Sequence, residues 1–545
     1  MSGNVVAVIP ARGGSKGIPR KNVRALGDRP LVAHTIAKSK DAQLVDSVVL
    51  TTDSREIAQV GRKYGADEVI ERPVELATDE VPLAPVMEHA YDALDGAFEY
   101  VLCLQPTVPL LSTDAIDRGI RIGFDAHSDS VVFVRDSTHQ YWAVEDDSYT
   151  PVPDERKNRQ YMDKIYEEIG VFLSHNSLIR DGRRVGDDPA FHEVPARQGI
   201  DIDTYADWLL AENYLRRKRV VYRVIGNGQA GTGHVYRGIT IADHIFEHDV
   251  EFATVEGNDL AIENLDESNY DYRTFDSEDS FVEYVRSSSP DVVVNDVLDT
   301  SAEYVRALTD CGCRVVNFED LGDGTEHADA VVNALYEYSD PPKNHYFGFK
   351  YFCLRNEFRY ATPHEAIPDV ERIMISFGGT DENNLTAKTL RALADVDIDL
   401  HLDVVIGLGY AQEETLRPII EGYPAQIDVK ISQNVNSMAE HMEQADLLIT
   451  SNGRTLYEAS SMNLPTISIA QNHREQKHPY AHVSRGILAL GQADYVTEGN
   501  IRTAVEDCIT DSDRREAMRA ALEDTDIANG IDRIKNIIFE KDHEN

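Results

Sequence analysis

The chain has 545 residues, of which 42% are hydrophobic, and its formal net charge is -42 at pH 7. This length exceeds what one hydrophobic core supports, and it predicts about three units of roughly 150 residues each. The charge argues against non-specific binding to nucleic acid or to an anionic membrane surface, because both would repel an acidic protein.

Acidic residues are dispersed through every segment of the chain. Such dispersed acidity is typical of proteins adapted to high salt and predicts a halophilic source; an ordinary acidic enzyme is the alternative, since net charge bears on solubility and not on fold. No apolar run approaches the ~18 residues of a membrane span, and no leader pattern begins the chain, so we expect a cytoplasmic protein. The cysteines form no paired framework and predict buried thiols rather than a zinc site. They are Cys103, Cys311, Cys313, Cys353 and Cys508.

Three segments repeat one pattern, in which an apolar β-branched run leads to a glycine-rich loop and then to a helical pattern. They are residues 5–17, 220–234 and 373–384. Strands that alternate with helices predict parallel sheets wound with helices, whose ligands bind at the carboxyl ends of the strands. We therefore expect an α/β protein with three domains, at residues 1–219, 220–365 and 366–545.

The two domain boundaries follow from local signals. A helix is expected over residues 204–219, where Thr204 and Asp207 suit a capping box and the basic run at 216–219 suits the negative end of the helix dipole. The second boundary falls within residues 361–369, because Pro363 and Pro368 interrupt any regular element there.

The loop after the first strand concentrates positive charge in an otherwise acidic chain. Its cations are Arg12, Lys16, Arg20, Lys21 and Arg24, with no acid before Asp28. Gly13, Gly14 and Gly17 can adopt positive φ and let backbone N–H groups approach an anion. The loop is neither a Walker A loop nor G-x-G-x-x-G. It predicts a polyphosphate site, with an ordinary strand-to-helix turn as the alternative.

Residues 199–204 place two carboxylates close together. In an extended strand Asp201 and Asp203 would share one face while Ile202 packs behind them. A cation is needed to join adjacent carboxylates, and Mg²⁺ is expected because it is usually held by one or two carboxylates plus substrate phosphates. The alternative is that Asp203 caps the following helix while Asp201 is solvated.

Several segments of the first 200 residues resemble the N-acylneuraminate cytidylyltransferases, the CMP-sialic acid synthetases. They are residues 8–22, Thr51-Thr52-Asp53, Arg72-Pro73, residues 76–79, Gln105-Pro106-Thr107 and Pro109-Leu110. The resemblance implies a Rossmann-like nucleotidyltransferase fold of the GT-A-like type. It also implies that the anomeric hydroxyl of a nonulosonic acid attacks the α-phosphorus of CTP, which releases pyrophosphate. Related synthetases commonly pair, so a homodimer is an open expectation.

The same resemblance implies roles for individual residues. Arg12 and Lys16 would bind the β- and γ-phosphates with Gly13, Gly14 and Ser15, and Lys21 would lie near the α-phosphate. Asn22 and Arg72 would contact the nucleoside, while Gln105, Arg159 and Gln160 would face the acid sugar. Asp201 and Asp203 would be the Mg²⁺ ligands. The chain departs from the family at residues 81–83 and 168–172, which leaves the sugar open among pseudaminic, legionaminic and neuraminic types.

The second half carries three further candidate loops. His234 follows a glycine-rich loop, where an imidazole with pKa ~6.5 suits a general base, although it could equally hydrogen-bond the loop. Gly378 and Gly379 at a strand end predict a diphosphate site at a helix N-terminus. Glu458 follows the turn at Gly453 and Thr455 and is expected on ribose hydroxyls, with a solvated helix acid as the alternative. Gln471, Asn472 and Gln476 are weaker candidates.

Residues 220–535 resemble the UDP-sugar hydrolase of pseudaminic acid biosynthesis, which is related to two-domain GT-B-type glycosyltransferases. The resemblance is carried by residues 228–237, among them Gly233 and His234, and by residues 318–320, 333–336, 348–358 and 376–381. It implies hydrolysis of a UDP-linked diacetamido-trideoxyhexose with His234 as base and without a metal. A separate phosphoenolpyruvate-dependent nonulosonic acid synthase would then be a functional partner. The alternatives are a glycosyltransferase and a non-catalytic nucleotide-sugar sensor.

Overall fold

The computed structural model describes residues 3–94, 97–154, 156–366, 369–396, 398–433, 435–523 and 525–539. Pro368 lies outside these residues. The chain divides into two compact units, Met1–Arg217 and Lys218–Asn545. Among the described residues no helix is both long and apolar enough to cross a membrane. The five cysteines are free thiols, and all except the half-buried Cys311 are buried.

A seven-stranded sheet forms the centre of the first unit. The unit's strands are β1 Val5–Pro10, β2 Ala25–Leu26, β3 Arg29–Pro30, β4 Ser47–Thr52, β5 Glu68–Glu71, β6 Tyr100–Leu104, β7 Ser130–Asp136, β8 Tyr141–Glu145, β9 Ser148–Val152, β10 Tyr166–His175 and β11 Ala190–Val194. Its helices are α1 Leu31–Asp41, α2 Arg55–Lys63, α3 Leu83–Ala93, α4 Thr113–Ala126, α5 Asn176–Arg180 and α6 Tyr205–Arg216. The strand order is β11-β7-β10-β6-β1-β4-β5.

Strand β1 is central, and its position explains its composition. It pairs in parallel with β4 and β6, so that Val8 lies between Val49 and Cys103. Both faces of such a strand are covered, which requires the continuous apolar run seen at Val5–Ile9. The expectation of parallel strands is wrong for β10, which runs antiparallel to both β6 and β7. Strand direction depends on the connection, which the local residue pattern does not encode.

Two local predictions for the first unit meet different outcomes. The capping box of α6 is confirmed, since Thr204 accepts from the Asp207 N–H while the Asp207 side chain accepts from the Thr204 N–H. The helix ends at Arg216, however, so the rest of the basic run at 217–219 lies beyond its last turn. The segment after β1 is also not a direct strand-to-helix unit, because a short 3-10 turn and the β2–β3 hairpin precede α1.

The second unit contains two sheets whose strands are all parallel. The first has the order β14-β13-β12-β15-β16-β17-β18 and the second has the order β21-β20-β19-β22-β23-β24. The strands are β12 Arg219–Val224, β13 Asp249–Val255, β14 Tyr272–Phe275, β15 Val292–Asp296, β16 Arg314–Phe318, β17 Ala330–Asn333, β18 His345–Phe347, β19 Arg372–Ser376, β20 Leu400–Ile406, β21 Ile427–Gln433, β22 Leu447–Thr450, β23 Thr466–Ala470 and β24 Ile487–Gln492.

Helices of the second unit connect and cover these strands. They are α7 Gly233–His244, α8 Asp259–Ser268, α9 Glu278–Ser288, α10 Ala302–Thr309, α11 Asn356–Tyr360, α12 Leu385–Leu393, α13 Leu416–Glu421, α14 Met438–Gln444, α15 Arg454–Ser461, α16 His473–Gln476, α17 Glu498–Thr510, α18 Ser512–Glu523 and α19 Gly530–Phe539. Although α19 follows the second sheet in sequence, Ile531, Ile534 and Ile538 pack into the core of the first sheet. The predicted fold class, α/β with Rossmann-like sheets and a GT-B-like second half, is confirmed.

Candidate functional site

Two cations of the basic loop in the first unit meet a single carboxylate. Arg12 Nη2 and Lys16 Nζ each lie 2.5 Å from an oxygen of Asp79. The hydrogen bond from Lys16 and the charge of Arg12 lower the pKa of Asp79 below its usual value. Two cationic side chains that converge on one carboxylate in a glycine-rich loop have the arrangement that an anion-binding site needs, and Asp79 is their partner in this structure.

Backbone contacts hold the loop in shape. The Gly13 N–H donates to Asp53 Oδ1 at 2.9 Å, and Asn22 Nδ2 donates to the Arg12 carbonyl at 3.0 Å. Gly13, Gly14 and Gly17 do not use the positive φ that glycine allows, and Arg20 adopts it instead, at φ 57°. Close approach explains Gly17, since an added Cβ would lie 2.6 Å from the Asp203 carbonyl oxygen. Gly14 is open, with no atom within 4 Å of an added Cβ, and the half-buried Ser15 follows it.

Lys21 joins the loop to the carboxylate pair. Its Nζ donates to the Ile202 carbonyl at 2.6 Å and lies 3.3 Å from Asp203 Oδ1. The segment at 199–203 is not a strand, contrary to expectation, although Ile202 is buried as predicted. The helix cap is made by Asp207 and Thr204, so Asp203 does not serve as the cap.

Asp201 presents a buried carboxylate oxygen. Its Oδ1 is buried without a hydrogen-bond partner. Burial raises the pKa of Asp201, the nearby Thr107 side chain lowers it, and the charge of Asp203 raises it, so that burial prevails. A buried carboxylate oxygen that lacks a donor costs free energy that a bound cation would recover. Asp201 and Asp203 therefore fit Mg²⁺ by charge and by ligand type.

The other residues predicted for this site differ in their burial and contacts. Arg72 is buried and donates through Nη2 to the Thr51 carbonyl at 2.7 Å, and burial lowers its pKa to about 10. Gln105 follows β6 and packs its amide against Gly170, where an added Cβ would lie 2.7 Å from Nε2. Arg159 and Gln160 occupy an exposed 3-10 turn, and no contact of theirs with the basic loop is seen among the described residues.

In the second unit, one cavity of about 370 Å³ brings the candidate residues together. It lies at the carboxyl ends of β12, β19 and β22, where parallel sheets bind ligands. The predicted residues that line it are Gly233, His234, Gly378, Gly379, Gly453, Thr455, Glu458, Gln471 and Asn472. These residues span more than 200 positions of sequence, so the folding of the unit assembles the site.

His234 is fixed by a buried charge network. Its Nδ1 lies 2.5 Å from Asp296 Oδ1, and Arg237 binds both oxygens of the same carboxylate. Burial alone would raise the pKa of Asp296, but Arg237 overrides burial and lowers it to about 2. Arg237 Nη2 also lies 3.1 Å from His234 Nδ1. The nearer Asp296 carboxylate is ionised and can only accept, so Nδ1–H donates to Asp296 and Nε2 is left as the unprotonated nitrogen of a residue that lines the cavity.

The other two loops differ from expectation in detail. Glu458 is buried and pairs with Arg355 Nε at 2.7 Å, so it is not a solvated helix acid. The N-terminus of α12, expected to face a diphosphate, is occupied by Asp381, which accepts from the Leu385 and Thr386 N–H groups at 2.8 Å each. Gly378 does adopt positive φ, at 82°, and leaves open space beside it.

Sequence reasoning missed the partners that orient these groups. Asp296 ends an apolar strand, a position where parallel sheets place functional residues, and this signal could have revealed it. Arg237 follows His234 by three residues and therefore shares its helix face. Asp79 belongs to a segment singled out above, but nothing local shows that it meets Arg12.

Comparison with known proteins separates the two parts in the same way. Residues 6–179 match the family model described as cytidylyltransferase, and residues 373–534 match the C-terminal domain of glycosyltransferase family 28. The first unit is therefore similar to the cytidylyltransferases, and the C-terminal part of the second unit is similar to glycosyltransferase family 28.

Individual relatives align with part of this chain. The CMP-N,N'-diacetyllegionaminic acid synthase of Legionella pneumophila is 29% identical over 231 residues, which cover 39% of this chain and 96% of that protein. An uncharacterized protein of Methanocaldococcus jannaschii is 29% identical over 270 residues, which cover 46% of this chain and only about half, 55%, of that protein. Among solved structures, MurG of Acinetobacter baumannii matches 59% of this chain and 99% of its own, at 14% identity and a TM-score of 0.46.

Proposed function

We propose that the first unit transfers CMP from CTP to a nonulosonic acid of the sialic type. The observation that carries this proposal is the convergence of Arg12 and Lys16 on one carboxylate, beside Lys21 and the partnerless Asp201 oxygen. Similarity to a CMP-nonulosonate synthase supports the same substrate class. The type of nonulosonic acid is left open.

Each side chain of the site has a part in the proposed reaction. Arg12 and Lys16 release Asp79 and bind the β- and γ-phosphates. Lys21, held by the Ile202 carbonyl, neutralises charge at the α-phosphate as the anomeric hydroxyl of the acid sugar attacks the α-phosphorus. The hydroxyl proton passes to solvent, and pyrophosphate leaves with the electron pair of the broken P–O bond. Asp201 and Asp203 would hold Mg²⁺, which supplies charge neutralisation between the phosphates. Asn22 maintains the loop through the Arg12 carbonyl.

Two single substitutions test the assignment of these carboxylates as metal ligands. Asp201→Asn and Asp203→Asn, each alone, should abolish Mg²⁺-dependent release of pyrophosphate from CTP in the presence of a nonulosonic acid, with the CMP-sugar identified by mass. Asp125→Asn is the matched control, because it removes one exposed carboxylate from α4. Retention of pyrophosphate release in both variants would exclude these carboxylates as the metal ligands and refute the proposed site.

We infer that the second unit hydrolyses a UDP-linked amino sugar, such as a diacetamido-trideoxyhexose. His234 carries this inference, because Asp296 fixes its tautomer and leaves Nε2 able to accept a proton at the cavity. Nε2 takes a proton from water, the water oxygen bonds to the anomeric carbon, and the bond from that carbon to UDP breaks with its electron pair leaving on UDP. Glu458 is placed to accept from ribose hydroxyls, with Arg355 balancing its charge.

A glycosyltransferase is the second candidate, and the match to glycosyltransferase family 28 favours it. The two differ in the acceptor, since a sugar hydroxyl would replace water at the same nitrogen. UDP release without an added acceptor indicates hydrolysis, whereas release that requires a sugar acceptor indicates transfer. If the wild-type protein binds the UDP-sugar but releases no UDP with or without an acceptor, both catalytic proposals fail and a binding module remains. If His234→Asn releases UDP at the wild-type rate, His234 is not the base.

The product of the hydrolysis proposed for the second unit is not the substrate proposed for the first unit. Hydrolysis yields a free amino hexose, while cytidylyl transfer consumes a nonulosonic acid, so a phosphoenolpyruvate-dependent synthase would connect them. We propose this synthase as the functional partner, together with a homodimeric, cytoplasmic and halophilic state. Co-purification of the synthase activity tests the partnership, and sedimentation in high salt tests the dimer.

A further inference from the structure

A second cavity, of about 590 Å³, lies in the second unit. It shares Tyr336 with the cavity around His234, here called the nucleotide cavity. Its walls come from the ends of β16, β17 and β18 and from the residue after α16, Lys477. None of the nucleotide-binding roles proposed above uses it. The segment at 333–336, noted for its resemblance but without a role, forms part of its wall.

Aromatic rings form one side of this cavity. The Tyr338 and Phe347 rings are 4.4 Å apart, and His345 stacks on Phe347 with the centroids 5.6 Å apart. Tyr338 is 59% exposed, which is unusual for a ring in van der Waals contact with a second aromatic side chain. Such a wall offers an apolar face to a ligand. Because the Tyr338 and Phe347 planes are inclined by 50°, they do not make the parallel slot that suits a flat base.

Two residues that line the same cavity carry hydrogen-bond acceptors without a donor within the residues that the structure describes. Asn333 is 1% exposed, and its Oδ1 is buried without a partner, while its Nδ2 donates to the Asp320 carbonyl. Asn344 Nδ2 donates to the Ala328 carbonyl, so Asn344 Oδ1 accepts from His345 Nδ1 at 2.9 Å. His345 Nε2 is therefore an acceptor on a ring that lines the cavity. Both acceptors call for a ligand with O–H or N–H donors.

The charges around the cavity restrict the charge of the ligand that it can bind. The Asp320 carboxylate is saturated by donors from Thr300, Asn317 and Gly322. Glu337 pairs with Arg485 at 2.8 Å. Lys477 has no ion pair within the described part of the chain. The cavity therefore does not suit a cation, and it suits a neutral or weakly anionic molecule.

We propose that this cavity is a carbohydrate-binding site for a neutral hexose-type ring, separate from the nucleotide cavity. The C–H face of the sugar would pack on Tyr338 and Phe347, and its hydroxyl or acetamido donors would bond Asn333 Oδ1 and His345 Nε2. This site does not depend on the proposed hydrolysis, since its residues are distinct from His234 and its partners. It provides a place for a sugar acceptor or a released sugar beside the cleft.

Saturation-transfer NMR on the full chain tests the proposal with N-acetylglucosamine as the probe. The wild-type protein should saturate the sugar protons, and saturating UDP should leave that signal unchanged. Tyr338→Ala should lower the signal several-fold. Tyr360→Ala is the matched control, because Tyr360 is 87% exposed and does not line the cavity, and it should leave the signal unchanged.

Each contrary result overturns the proposal. No saturation transfer to the sugar means that the cavity is not a sugar site. An equal signal in Tyr338→Ala places the sugar elsewhere. Displacement of the sugar by UDP assigns it to the nucleotide cavity, which would leave the proposed hydrolase intact. Transfer to uridine that requires Tyr338, without transfer to the sugar, identifies a nucleobase site instead.

Discussion

The two candidate sites hold their charges in opposite ways. In the first unit the ion pairs of Arg12 and Lys16 with Asp79 are exposed, and Lys16 is 83% accessible to solvent. In the second unit the His234, Arg237 and Asp296 side chains are nearly inaccessible. Exposed pairs are screened by water and exchange partners readily, whereas buried pairs are costly to break.

This contrast matches the chemistry proposed for each site. A loop that must capture and release a triphosphate gains from weak, replaceable contacts, since any strong internal pair would compete with the ligand. A general base gains from a fixed orientation, because proton transfer depends on hydrogen-bond geometry. The first site therefore relies on accessible charge, and the second relies on buried charge that keeps one imidazole nitrogen available.

The sharpest test of the contrast removes one arginine from each unit. Arg237→Met leaves Asp296 and Glu319 buried without their cation, so the free energy of opening around β15 should fall by about 3–5 kcal/mol. Arg12→Met should leave the protection of β1 unchanged, because its pair with Asp79 is exposed. Hydrogen exchange by mass spectrometry measures both. Similar losses in the two variants would contradict the contrast.

Releasing the loop cations from Asp79 should strengthen triphosphate binding. Asp79→Asn removes the carboxylate that occupies Arg12 and Lys16, so the Kd for CTP should fall by a few-fold. Asp28→Asn is the control, since Asp28 is an exposed acid paired with its neighbour Arg29 and removes the same charge. Calorimetric titration with CTP compares the variants. A weaker affinity in Asp79→Asn would show that Asp79 assists binding.

The sequence predicted the places of the sites better than their internal contacts. Apolar strands that end in glycine-rich loops located residues such as His234, Gly379 and Gly453, which line one cavity, because parallel sheets bring strand ends together. The bond from His234 to Asp296 crosses 62 positions, and no local pattern encodes such a contact. The glycine loop does follow strand β1, but its glycines do not use the positive φ that they allow.

The direction of strand β10 and the packing of helix α19 also could not be predicted from local sequence patterns. Strand β10 carries the same alternation whether it runs parallel or antiparallel, so only its connection decides. Helix α19 has an ordinary amphipathic pattern, and nothing in it shows that Ile534 packs on the first sheet of the second unit. Such features depend on which faces remain uncovered after the sheets form.

The raised pKa of Glu475 predicts that UDP binding by the second unit depends on pH. Glu475 lines the cavity, accepts from the Gln471 N–H at 2.8 Å, and burial raises its pKa to about 6. As pH rises from 5 to 7 the carboxyl gains a negative charge beside Gly453, so UDP affinity should fall by a few-fold. The raised pKa also means that its contribution to stability is present below about pH 4.5 and is lost as pH rises through about 6.

Glu475→Gln is the control for that effect. The terminal phosphate of UDP titrates near pH 6 as well, but this change is common to the wild type and the variant. The difference between their affinity profiles therefore isolates Glu475, and calorimetry at pH 5, 6 and 7 measures it. Parallel profiles would show that the Glu475 charge does not reach the nucleotide, while CTP binding by the first unit should be the same in both proteins.

The smallest expected effect is that of salt, which should weaken the exposed ion pairs and leave the buried ones almost unchanged. Raising KCl from about 0.1 M to 1 M shortens the Debye length from about 10 Å to about 3 Å, which weakens the attraction of Arg12 and Lys16 for CTP. Exchange protection near Asp296 should persist, because buried pairs are screened much less. The same salt reduces self-repulsion in a chain of net charge -42, so the unfolding midpoint should rise even as CTP affinity falls. An unfolding midpoint that is independent of KCl would argue against halophilic adaptation, since the expected increase rests on repulsion among the dispersed acids.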